Sequence, residues 1–384
     1  MRTLLPPTVT AALLAAWLAG CSGLRVENPP RPSAGDWLMG GGGPARTGAA
    51  PEELAPPLAP VWALDITGGA GRGGVAVLDT LVLAVNLRGE LYAAGLRSGK
   101  RIGWVDLAEG FEGAPAVDER GVVLASAATN ESLQSFDLVT GKREWRKAVG
   151  EIEASPLLYR NRVYAATLRG SLVCLLRSDG TELWRFDLPD NEHLKGIRSS
   201  PAADSGVVVF GADDGCVYGL DALSGTLRWQ VCGEAAVTAP VAVDGGLVFA
   251  ASRDGLLRAI DLHTGSLRWE ERLGSELFGG PAVRADLVAI GTTDRRMLAL
   301  DPATGRRLWE TPLEGGVNSE PVLSGGFVYA GTLTKKLYAL NASDGKAVWK
   351  VDTPGRIKTT PVVVRGTLLV PTDAQLLLAF RRAP

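Results

Sequence analysis

The chain has 384 residues, a net charge of −2 and 48 glycines. That length is enough for one large core, and the near balance of charge gives no reason to expect a nucleic-acid partner or a strongly basic surface. Only 2 histidines, His193 and His263, are present, and neither has Cys or carboxylate neighbours at metal-ligand spacing, which argues against a metal centre.

Residues 1–20 read as a signal peptide. Arg2 is its one basic charge, residues 9–19 form a short apolar run, and Leu18-Ala19-Gly20-Cys21 has the pattern of a lipobox. The run is too short for a comfortable membrane span. The expectation is cleavage before Cys21 and acylation of that residue, whose buried methylenes would anchor the chain. An ordinary secretory signal with a chance Cys is the alternative. Ser22, in place of Asp, resembles lipoproteins sent on to the outer membrane.

Residues 21–60 are rich in Pro, Gly and Ala and read as a lipidated tether and linker. Within them, Trp37 and Met39 are costly to leave in water, so the stretch 36–48 carries a candidate buried anchor.

From residue 61 to 384 one unit recurs, and it is clearest at LYALNASDGKAVW, residues 337–349. A short apolar run, a turn opened by Asp or Asn and closed by Gly, and a second run ending on Trp make a β-hairpin. The turn glycines are Gly99, Gly141, Gly180, Gly225, Gly265, Gly305 and Gly345. The tryptophans are Trp104, Trp145, Trp184, Trp229, Trp269, Trp309 and Trp349, with Trp62 ahead of them. Between copies lies a second strand pair, opened by Pro at Pro115, Pro156, Pro201, Pro240, Pro281, Pro321 and Pro361. Proline is tolerated at the first residue of a strand. The pitch of roughly forty residues is that of a four-stranded propeller blade. The last unit has no terminal Trp strand and the first Trp strand has no blade before it. Pairing residues 61–65 with 376–380 therefore closes an eight-bladed, all-β propeller without free sheet edges. Seven blades with a damaged terminus, or an open array, are the alternatives.

The longest connection follows Trp184 and spans residues 185–198. Loops on a rigid scaffold are where binding tends to reside, and Leu194, Lys195 and Arg198 are the candidate partner-binding residues, against a plain solvated rim. Cys174, Cys216 and Cys232 read as buried thiols, because an odd number argues against a disulfide framework. A bridge between Cys216 and Cys232, on two strands of one predicted hairpin, is the alternative.

The ALD–TG–W core of the repeat resembles the pyrroloquinoline-quinone (PQQ) type propeller repeat over residues 62–384. With the lipobox and eight blades, the chain resembles the BamB family of outer-membrane barrel-assembly lipoproteins. That resemblance implies a monomeric, non-enzymatic scaffold without a cofactor. It would be anchored by lipid at the periplasmic face of the outer membrane, and would bind envelope proteins of the β-barrel assembly machine through inter-blade loops. The segment 194–198 matches one contact loop of that family in part. A second, acidic loop is missing, because the next gap is only residues 230–236. The competing class is a small-molecule or PQQ-binding propeller, enzyme or sensor. Quinoprotein dehydrogenases are longer, with large insertions and a pair of adjacent cysteines, and this chain has neither.

Overall fold

A computed structural model describes residues 23–24, 26, 30–107, 110–127, 130–189 and 196–383. Eight antiparallel sheets follow one another, with no helix among the described residues. Blade 1 runs from Val75–Leu78 to Arg101–Asp106, blade 2 from Ala116–Val117 to Arg143–Lys147, and blade 3 from Leu157–Tyr159 to Glu182–Asp187. Blade 4 runs from Ala202–Asp204 to Leu227–Cys232, blade 5 from Ala242–Asp244 to Leu267–Arg272, and blade 6 from Ala282–Arg284 to Arg307–Pro312. Blade 7 spans Val322–Ser324 to Ala347–Asp352. Blade 8 takes three strands from the C-terminus, Val362–Val364, Thr367–Pro371 and Leu376–Arg382, and its fourth from the N-terminal side, Leu58–Asp65.

The ring therefore closes with eight blades, and Asp65 pairs with Leu376 as expected. The closing strand starts at Leu58, three residues earlier than the sequence suggests, because Leu58 finds a partner in Arg382. The two middle strands of each blade are apolar along most of their length and are covered by neighbouring blades, whereas the outer strands alternate between covered and exposed.

The repeated Trp and Gly work as a pair across each blade boundary. The indole N–H of Trp184 donates to Ala222 at 3.3 Å, and those of Trp229, Trp269 and Trp309 donate to Leu262, Pro302 and Ala342, each at 2.8 Å. The acceptor is always a turn carbonyl of the next blade. The turn glycine lies under the ring: Gly225 has φ 74°, and a Cβ there would meet Trp184 at 2.6 Å. Only glycine combines that backbone with that closeness. Trp349 has no such hairpin ahead of it and meets Phe380 edge-on at 6.1 Å.

Blade 1 departs from the expected pattern. Its extra residue puts Gly103 opposite Ala93, the place that Trp269 takes opposite Ala259, and moves Trp104 one step along. The slot so vacated is filled by the N-terminal segment. Leu24 is fully buried there, Gly141 lies against the Leu24 carbonyl, and the Leu138 carbonyl, left without an indole, accepts the Val26 N–H at 2.9 Å.

The cysteines also differ from the expected free thiols. Cys216 and Cys232 face each other across the outer pair of blade 4, with Cα atoms 3.9 Å apart, and form a disulfide. The odd count misled because it weighed all three cysteines together, while register alone decides this pair. Cys174 is free and buried, and burial pushes its thiol up to about 11.

Candidate functional site

The residues read as a tether turn inward. Trp37 is 2% exposed and exchanges two main-chain hydrogen bonds with Val77 on the innermost strand of blade 1, at 3.0 and 2.6 Å. The leader then passes round the axis. The carbonyls of Leu38, Pro44, Ala45, Thr47 and Gly48 accept from Val117, Ala203, Val243, Val283 and Leu323, at 2.7–2.8 Å. These five residues lie on the innermost strands of blades 2, 4, 5, 6 and 7. Such strands have no neighbour toward the axis, and their N–H groups need an acceptor there. Ala49–Ala50 then pairs in parallel with Val322–Ser324 as a fifth strand of blade 7.

Arg46 supplies what the main chain does not reach. Its guanidinium donates to the carbonyls of Gly40 and Pro201, each at 2.6 Å, and of Ser155 at 3.0 Å, so that one side chain ties the leader to blades 3 and 4. It is 3% exposed. Burial pulls its pKa down to about 10, with Glu320 opposing that fall, so the group keeps its charge at neutral pH. The glycines around it give it room: a Cβ on Gly41, whose φ is 75°, would lie 2.7 Å from the Arg46 Cβ.

Past this plug the axis opens as a cavity of about 180 Å³, floored by Gly40 and Arg46. Its wall comes from the segments that enter the innermost strands and carries both signs of charge, with Arg72, Arg198 and Lys358 beside Glu112, Glu153 and Glu320. Burial pushes the Glu112 and Glu320 carboxyls above the usual carboxylate range, while Arg72 and Arg46 respectively oppose the rise. Asn318 Oδ1 and Ser319 Oγ, also in the wall, are buried and make no hydrogen bond.

Of the three expected partner-binding residues, Leu194 and Lys195 lie outside the described residues, as does Cys21. Arg198 is described. Its guanidinium pairs with Asp213 and, at 3.4 Å, with Glu153, at the mouth of the axial cavity. Next to it Ile197 is fully buried and donates to the Thr167 carbonyl at 3.0 Å, which pins this end of the long connection to blade 3. Sequence reasoning missed Arg46. The available signal was a lone arginine within a glycine-rich stretch, Gly40 to Gly48, which offers it many bare carbonyls.

The axial residues do not fit PQQ with Ca²⁺. The leader occupies one end of the axis, and the cavity beyond it opens into a mouth of about 540 Å³ lined by Arg72, Glu153, Arg198 and Asp213, a charged wall where small-molecule sites are mostly apolar. No group of three His, Cys, Asp or Glu among the described residues is placed to hold a metal ion.

Fold and axis together define a closed eight-bladed propeller plugged at one end of its axis by its own N-terminal leader. The profile of the family described as outer membrane protein assembly factor BamB matches residues 59–210, 151–236, 214–314 and 298–383, and the chain belongs to that family. BamB of Yersinia pestis is 28% identical over 187 residues, which are 44% of this chain and 47% of that protein. A tetrathionate hydrolase of Acidithiobacillus ferrooxidans is 27% identical over 153 residues, 36% of this chain and 30% of the relative. The matched stretches thus span less than half the length of these curated relatives. Among solved structures, BamB from Moraxella catarrhalis superposes with a TM-score of 0.72 at 21% identity, covering 85% of this chain and 100% of that one. A quinohemoprotein alcohol dehydrogenase from Pseudomonas putida HK5 gives 0.78 at 14% identity, covering 92% and 83%. At these identities the structural likeness speaks for the fold alone.

Proposed function

We propose that this chain is a non-catalytic scaffold of the cell envelope, anchored by lipid on Cys21, that binds protein components of outer-membrane β-barrel assembly. The single observation that carries this reading is the plugged axis. Where a propeller enzyme would keep its central chamber for a cofactor, this one spends its leader and Arg46 on filling one end of it. The loops round the mouth, Arg198 among them, are left as the working surface, and Leu194 and Lys195 belong to the partner-binding segment we propose. The Cys216–Cys232 disulfide supports an oxidising compartment outside the cytoplasm. Residues 1–20 are then the signal peptide, 21–60 the lipidated leader and 61–384 the propeller.

Affinity purification of the tagged chain from solubilised membranes tests the partner. Co-recovery of the barrel-forming subunit is the expected result, and its absence would remove the assembly role. Palmitate labelling tests the anchor: the wild-type chain takes up label and Cys21→Ser does not.

A second reading, a sensor for a small polar molecule, draws on the unpartnered Asn318 Oδ1 and Ser319 Oγ in the axial cavity. It requires a ligand that raises the melting temperature in the wild-type chain and not in Ser319→Ala.

A further inference from the structure

The seam between blades 1 and 2 is where the N-terminal segment enters the ring. Gly23 and Leu24 lie between Gly103, on the outer strand of blade 1, and Gly141, in the outer hairpin of blade 2. The residues flanking these two glycines form one surface. Lys100, Arg101 and Ile102 precede Gly103, and Val139 and Lys142 bracket Gly141. All five are exposed, Ile102 by 49% and Val139 by 37%.

The three cations have no ion-pair partner among the described residues, whereas several cations on the outer strands of other blades do. There Arg228 pairs with Asp221, Arg268 with Asp261, Arg307 with Glu271 and Lys350 with Glu314. A cluster of uncommitted positive charge with two apolar side chains is complementary to a surface that is negative at its face and apolar beneath. Cations close to such a surface are attracted by about 1 kcal/mol each, and an apolar side chain gains by entering the headgroup boundary.

We infer that the outer rim of blades 1 and 2, through Lys100, Arg101, Ile102, Val139 and Lys142, docks on an anionic lipid surface. The N-terminal segment leaves the ring at the same seam, so this contact and an anchor on Cys21 would hold the ring edge-on to the bilayer from one side. The mouth of the axial cavity would then remain open to protein partners. The rim contact does not itself depend on acylation.

The test uses the chain begun at Ser22, which keeps every described residue and carries no lipid. It is sedimented with phosphatidylcholine vesicles made with and without phosphatidylglycerol, at low and high salt. Binding should appear only with phosphatidylglycerol and weaken with salt. The K100E/R101E/K142E variant should lose on the order of 100-fold in partition, by three attractions of about 1 kcal/mol each. R295E/R306E/K346E, with the same change of charge on blades 6 and 7, should bind within a few-fold of wild type. Circular dichroism confirms that both variants fold. Three results would each overturn the inference: no binding to phosphatidylglycerol vesicles, equal losses in both variants, or capture by polyglutamate beads without vesicle binding. Because acylation is absent throughout, failure here leaves the anchor to be judged by the palmitate experiment alone.

Discussion

Arg46 and Ser155 are 109 positions apart, yet the guanidinium of one donates to the carbonyl of the other at 3.0 Å on the propeller axis. The contact joins a leader that precedes every blade to the third blade of the ring. Its companions at Gly40 and Pro201 make Arg46 the point where leader, blade 3 and blade 4 are tied together. Removing it orphans several buried carbonyls, at about 1–3 kcal/mol for each polar group left without a partner. Arg46→Ala should therefore lower the unfolding free energy by at least about 2 kcal/mol, read as a lower midpoint of urea unfolding. Arg46→Lys should recover only part of it, because an ammonium cannot reproduce the planar fork that reaches carbonyls on several sides. Unfolding midpoints unchanged in Arg46→Ala would show that the leader does not brace the ring.

Gly265 and Gly245 separate two reasons for glycine. Both have positive φ, 72° and 57°, but a Cβ on Gly265 would meet Trp229 at 2.6 Å, whereas nothing lies within 4 Å of one on Gly245. Gly245→Ala should cost only the left-handed backbone, about 1–2 kcal/mol. Gly265→Ala should cost distinctly more, because the indole must also move. Thermal melts of the two variants check the order, and equal losses would refute the packing role of the repeated Gly–Trp pair.

The turn aspartates give the ring a defined response to acid. Hydrogen bonds from Arg228 and Arg268 hold the Asp221 and Asp261 carboxyls well below the usual carboxylate range. Their contribution is complete above the unfolded-state pKa of about 3.9 and is lost as pH falls through the lower folded-state values. An Arg228→Ala/Arg268→Ala variant depresses those values less. Its acid-unfolding midpoint should move to higher pH, while its stability at pH 7 falls modestly. A midpoint that stays in place would contradict the assignment.

The Cys216–Cys232 bridge closes a short loop, at a sequence separation of 16, and holds the outer edge of blade 4. Intact-mass analysis after alkylation under denaturing conditions should show one reactive thiol, Cys174, without reductant and three with it, in the chain begun at Ser22. Three reactive thiols in both cases would rule the bridge out.

Much of this architecture was legible because the hairpin repeats. A Trp, a turn Gly and a strand-opening Pro at regular pitch report the same local physics in each blade, and Trp62 without a blade of its own predicts the closure with Leu376. The leader was not legible beyond Trp37 and Met39. Its hydrogen bonds are made by main-chain carbonyls to strands far along the chain, and such acceptors leave no trace in side-chain pattern. Gly103 misled for a related reason: one inserted residue shifts Trp104 out of register, and the vacated slot is filled by Leu24, which no repeat foreshadows.

Hydrogen exchange of six main-chain amides tests the plugged axis most directly. Val77, Val117, Ala203, Val243, Val283 and Leu323 donate to the leader from the innermost strands. If the leader closes the axis, these amides exchange as slowly as those in the blade cores, and faster in Arg46→Ala. Rapid exchange in the wild-type chain would mean an open, water-filled channel, and the case for a ring that works only through its outer loops would fall with it.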